Sequence, residues 1–154
     1  MTADKNFKLK IQQHCIQIVS SRLQDLESML KDLSESAANE TKSTAGDKYE
    51  TARAMLHIEQ DQVRKQIFEL KSQQAVLNSI DPSSNSDRII LGSLICTQDN
   101  SCYYLSTSLG KMIVEDQLII AISMQSPLGV KLKGLKAGDE LKMNERKLVI
   151  SDIL

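Results

Sequence analysis

Glu40-Thr41-Lys42-Ser43-Thr44-Ala45-Gly46-Asp47-Lys48-Tyr49-Glu50 is a short polar stretch between two long patterns of helical period, and its reading decides the fold. Upstream, Ile16, Val19, Leu23, Leu26, Leu30 and Leu33 alternate at three- and four-residue spacing, the a/d seam of a coiled-coil helix. Leu9 extends that seam backward. Downstream, Tyr49, Leu56, Val63, Leu70 and Leu77 recur every seventh residue, with Gln60, Ile67 and Gln74 at the intervening positions. Two seams joined by so few residues are buried most simply when the helices fold back on each other, so an antiparallel hairpin is predicted with the polar stretch, about residues 39–50, at its tip. Arms of roughly 30 residues make a finger on the order of 45 Å long, at about 1.5 Å per residue. Asp47 and Glu50 stand three residues apart, so a helix starting there puts both carboxylates on one face.

The chain has 154 residues, 41% of them hydrophobic, and a formal net charge of −1. That length suits a hairpin plus a small second domain, and the balanced charge advertises no broad nucleic-acid surface. Three cysteines, Cys15, Cys96 and Cys102, lack the spacing of a zinc site. Their odd number argues against a disulfide framework, so a reducing, cytoplasmic location is expected, with Cys96 and Cys102 as small buried hydrophobes. No run approaches the ~18 apolar residues of a membrane span, so no membrane partner is expected. His14 and His57 have no companions at metal-ligand offsets and read as solvated helix positions. Lys31, Lys42, Lys48 and Arg53 lie toward the tip and could meet RNA or an acidic surface, while the interleaved Asp32, Glu35 and Glu40 suggest an ordinary solvated coiled-coil surface about as strongly.

Thr2-Ala3-Asp4 can start the first helix, which is predicted to run to about Ser36; the second ends near Ile80. Asp81-Pro82-Ser83-Ser84-Asn85-Ser86 combines a proline stop with turn formers. The expected domains are therefore 1–80, the finger, and 88–154, a sheet domain, joined by a linker at 81–87. Strands are predicted over Arg88–Thr97, Cys102–Thr107 and Gln117–Ser123. Ser126-Pro127 starts a short helix over Leu128–Leu132, ended by Gly134. A last hairpin, Glu140–Met143 with Lys147–Ile153, turns at Asn144-Glu145. The fold class is α+β: a long antiparallel coiled-coil hairpin, then a small, mainly antiparallel sheet with one short helix.

Ile122-Ser123-Met124-Gln125-Ser126-Pro127-Leu128-Gly129, followed by Gly134-Leu135-Lys136-Ala137-Gly138-Asp139, resembles the C-terminal signature of the Gre family of bacterial transcript-cleavage factors. Gly46-Asp47-Lys48-Tyr49-Glu50 matches that family's Gly-Asp-x-x-Glu tip motif, so the resemblance spans both parts of the chain. The tip then departs from the family, reading Thr51-Ala52-Arg53-Ala54 where an Asn-Ala-Glu-Tyr-like run is familiar.

The resemblance implies an FKBP-like C-terminal domain and a transcription elongation factor in the cytoplasm of bacteria. Its finger would enter the secondary channel of RNA polymerase and stimulate cleavage of backtracked transcripts. The protein would be an accessory factor rather than an enzyme, a monomer, with Mg²⁺ shared with the polymerase as its only cofactor. Asp47 and Glu50 would position metal and water, Lys48 and Tyr49 would contact nascent RNA or the channel wall, and Ser126, Pro127, Leu128 and Gly129 would dock on the polymerase. Two other readings stand beside this one: a channel-occupying regulator that inhibits without cleavage, and a coiled-coil interaction adaptor. For the two acids alone, Asp-x-x-Glu at a helix start is also a capping-box pattern, and Thr44 offers a competing cap.

Overall fold

Helix formation begins where a side chain can satisfy the first free amide groups. In the computed structural model, which describes the backbone of residues 4–43 and 47–154 and the side chains of 4–39 and 50–154, Asp4 does this. Its Oδ1 accepts from the Phe7 amide at 2.7 Å. Helix α1 spans Lys5–Ser43 and α2 spans Asp47–Asn78. α1 thus continues past Ser36, the predicted end. Ala37, four residues after Leu33, extends the seam by one half-buried position, and residues 36–43 hold neither proline nor glycine, so nothing stops the helix.

Seam burial follows the heptads. Val19 and Leu23 are buried in α1, and Gln60, Val63 and Leu70 in α2, with Leu26, Leu30, Leu33, Leu56 and Ile67 half-buried. Leu9 is the exception at 42% exposed; Phe7, Ile11 and Cys15 carry the buried stripe instead. The direction of pairing is antiparallel: Arg22, Asp25 and Leu26 line one groove with Gln66, Glu69 and Leu70, whereas Ser34, farther along α1, accepts from Gln60 Nε2 at 3.5 Å. His14 and His57 are exposed, as expected.

The chain forms two compact units, Met1–Ile16 with Ala75–Leu154, and Gln17–Gln74. The division falls within the helices, not at 81–87. The physical reason is that the first helical turns belong to the sheet's core: Ile11 and Cys15 are 0% and Leu77 1% exposed. Residues 81–84 form a tied turn, with Asp81 Oδ1 accepting from the Ser83 amide at 2.9 Å and Lys8 Nζ donating to the Ser84 carbonyl at 3.0 Å.

The sheet has strands β1 (Leu94–Thr97), β2 (Cys102–Ser106), β3 (Gly110–Val114), β4 (Gln117–Ser123), β5 (Glu140–Met143) and β6 (Arg146–Ile153), in the order β3-β4-β2-β1-β6-β5. Helix α3, Pro127–Leu132, lies between β4 and β5 in sequence. The protein is therefore α+β, as expected, and its sheet is mainly antiparallel, with β2 and β4 paired in parallel. The parallel pair follows from β3, which the sequence reading missed. β3 folds back on β4 through Glu115-Asp116, a two-residue turn with φ of 51° and 64°, which places β4 between β3 and β2. The same positive-φ turn at Asn144-Glu145 was legible because asparagine tolerates it; Glu-Asp carries no such signal. β1 also starts later than predicted. Gly92, at φ +91°, breaks the run before it, and Arg88 makes only an isolated bridge to Lys136.

Register pairs Leu94 with Tyr104 and Tyr104 with Ala121, so these side chains share one face of the sheet. That face meets α1, where the Tyr104 hydroxyl donates to Gln12 Oε1 at 2.5 Å and Cys15 Sγ lies 3.8 Å from Met112 Sδ. The opposite face carries Ile95, Leu105 and Ile150, packed with Ile89 and with Leu132 of α3 in one fully buried cluster. Burial on both faces makes three layers in this unit.

Cys96 and Cys102, which flank the predicted turn, are joined by a disulfide, overturning the expectation that they serve only as small buried hydrophobes. The cause is register: β1 and β2 are antiparallel with Cys96 directly opposite Cys102, and the Cα atoms are 4.2 Å apart. Cys15 alone is a free thiol, fully buried, and burial pushes its pKa up to about 12.

Candidate functional sites at the hairpin tip and beside helix α3

The backbone of α2 is helical from Asp47 onward, which is the condition for positions 47 and 50 to fall on one helix face. Glu50 is exposed, in the first turn. Gly46 lies outside the described residues, as do Thr44 and the side chains of Asp47, Lys48 and Tyr49, so their parts in the predicted metal, RNA and capping contacts lie outside them too. Among the described residues no group of three or more His, Cys, Asp or Glu is arranged to hold a metal ion. Close to the tip in sequence, Met55 and Ile58 are 59% and 58% exposed. Neither belongs to the heptad seam, and that is the signal by which the sequence could have marked them: apolar residues outside the stripe that buries them.

The second predicted site is built around the start of α3. Ser126 is its N-cap: the hydroxyl oxygen accepts from the Gly129 amide at 3.0 Å and its proton goes to the Ser123 carbonyl at 2.7 Å. Pro127 occupies the first turn, where no amide donor is needed. Gly129 is buried, and a Cβ there would sit 2.0 Å from the Ser123 carbonyl oxygen, so only glycine fits. Leu128 packs against the core cluster. Of the four predicted docking residues, then, Ser126, Leu128 and Gly129 hold the turn together, and Pro127 is the exposed one. The surface beside them is a groove lined by Leu91, Met124, Gln125, Val130 and Lys133, which the sequence reading did not select. Val130 is 64% exposed on a helix of only six residues, too short for periodicity to separate its faces.

Elsewhere the ionisable groups with displaced pKa values are structural. Asp99 is held below the usual carboxylate range chiefly by the Thr97 hydroxyl, and Asp81 by Ser83. Burial lowers Lys8 and raises Tyr104. Lys10 is raised by its hydrogen bond to Glu115 at the β3–β4 turn. No helix among the described residues is long and apolar enough to cross a membrane.

No family model and no curated protein sequence matches the chain. Among solved structures it is similar to one described as that of the transcription factor Gfh1, at 17% identity and a TM-score of 0.37, over 88% of this chain and 92% of that one.

Proposed function

We propose that this protein is a transcription factor acting on RNA polymerase: its hairpin enters the secondary channel and stimulates cleavage of backtracked transcripts. The observation that carries the reading is the placement of the Gly-Asp-x-x-Glu motif. It falls between the end of α1 at Ser43 and the first turn of α2, which starts at Asp47 and exposes Glu50. Further support comes from the Ser-Pro-Leu-Gly helix start in the sheet-bearing unit.

An exposed carboxylate is a hard oxygen donor of the kind Mg²⁺ takes, and one or two such donors make a weak site unless phosphates and a second protein complete it. Asp47 and Glu50 would hold Mg²⁺ only together with the polymerase. Bound there, the ion would polarise a water and the RNA phosphate. This chain's part is to deliver and orient the two carboxylates; the polymerase remains the enzyme. Lys48 and Tyr49 would meet nascent RNA or the channel wall.

The test is RNA shortening in stalled transcription complexes, with and without the protein. Asp47→Asn and Glu50→Gln, each removing charge while preserving shape, are expected to abolish most of the shortening and leave polymerase binding nearly intact. Full cleavage by the double variant would eliminate the metal-holding role. The alternative, a channel-occupying inhibitor, is favoured by Thr51-Ala52-Arg53-Ala54, where the second acidic run of a Gre-like tip is replaced. It predicts binding and slowed elongation with no shortening. An adaptor built on the coiled coil would fail to retain core polymerase in a pull-down.

A further inference from the structure

We infer that Cys96–Cys102 is a reversible redox latch on the β1–β2 hairpin, opened by a dithiol reductant and closed by a disulfide oxidant. Three observations carry this.

The first is that the hairpin is held without the crosslink. The Thr97 amide donates to the Ser101 carbonyl at 2.9 Å, the Asn100 amide donates to the Thr97 carbonyl at 3.0 Å, and Asp99 Oδ1 accepts from the Ser101 amide at 3.2 Å. Arg146 reaches Asp99 from β6 at 3.0 Å. Only six positions separate the cysteines, so the closed loop is short and removes less chain entropy than a long-range crosslink would. Both redox states therefore keep the hairpin, and register keeps the reduced thiols facing each other.

The second is asymmetric access. Cys96 is only partly buried whereas Cys102 is 3% exposed. An incoming thiolate reaches Cys96 Sγ, the Cys96–Cys102 bond breaks, and the electron pair leaves on Cys102 Sγ, which takes up a proton. Gln117 Nε2 donates to that sulfur at 3.4 Å and stabilises charge as it develops. The second thiol of the reductant then attacks its own sulfur in the mixed disulfide and releases Cys96. One disulfide and one dithiol become one dithiol and one disulfide.

The third is that no wrong pairing competes. Cys15, the remaining cysteine, is 0% exposed in the α1 layer. Its thiol stays protonated near neutral pH because burial raises its pKa to about 12, so it does not attack the pair.

The latch sits where the pairing of β1 with β6 shifts register, between Cys96 and Thr97. The Tyr104 contact to Gln12 lies two residues from Cys102 on the same sheet face, so the latch borders the surface that meets α1.

The experiment uses the whole protein equilibrated in reduced and oxidised glutathione, then alkylated in denaturant and weighed. One tagged cysteine is expected on the oxidised side and three on the reduced side, with full return on reversing the ratio. A thioredoxin-fold reductant whose second cysteine is replaced by serine should be trapped on Cys96, as read by peptide mapping. Hydrogen exchange at residues 97–101 should quicken at least about fivefold on reduction while the slowest amides of the sheet keep their protection. Cys96→Ser should exchange like the reduced protein. Three tags under all ratios, a disulfide that includes Cys15, trapping on Cys102, or loss of protection throughout the sheet on reduction would each overturn the latch.

Discussion

Tyr104→Phe tests the layer between α1 and the sheet. The phenol is 0% exposed and donates to Gln12 Oε1, and Gln12, itself 3% exposed, donates from Nε2 to the Leu77 carbonyl at 2.7 Å. Phenylalanine keeps the ring and removes only the donor, leaving the Gln12 oxygen buried without that partner. A buried polar group stripped of its partner costs about 1–3 kcal/mol. At this chain length that is a fall in Tm of roughly 3 to 10 °C. Urea unfolding followed by far-UV circular dichroism should show the midpoint moving with an unchanged m-value. The Gln12→Leu variant removes the acceptor as well, and Leu77 retains the Ile80 amide as a donor at 3.2 Å. In Tyr104→Phe with Gln12→Leu, the combined loss should therefore be about 1 kcal/mol smaller than the sum of the single losses. A Tyr104→Phe protein within about 0.3 kcal/mol of the parent, or strict additivity in the double variant, would refute this account of the layer.

Gly129→Ala should destabilise the sheet-bearing unit by about 1–3 kcal/mol or shift the α3 start, because the new methyl meets the Ser123 carbonyl; thermal unfolding with amide exchange at residues 123–132 measures it. Leu70→Ala should cost about 2–5 kcal/mol in chemical unfolding, and Leu9→Ala well under 1, since one lies in the seam and the other is 42% exposed. Alkaline pH should weaken the fold: the pKa values of Tyr104 and Cys15 are raised, so the unfolded chain releases their protons first and their contribution, complete below pH ~9, falls as pH rises toward 12. Tyr104→Phe should flatten the part of that pH profile above about 10.

Both helices, their antiparallel pairing, the α3 start and the final hairpin were legible in the chain because each rests on local spacing. Val63 and Leu70 are buried because heptad period alone assigns a face, and Ser126-Pro127 starts a helix because a hydroxyl cap followed by a residue without an amide proton suits any first turn. The tip motif came from the family resemblance rather than from spacing, and the side chains of Asp47, Lys48 and Tyr49 lie outside the described residues. What only the tertiary structure decided is non-local. β3 turns through Glu115-Asp116, whose positive φ values are paid for by pairing with β4 rather than by residue preference, and that insertion makes the sheet mixed. Leu9 is exposed and Gln12 buried because the sheet, not the partner helix alone, covers the first turns of α1. Cys96 meets Cys102 because strand register set them opposite each other, a relation that counting cysteines cannot supply.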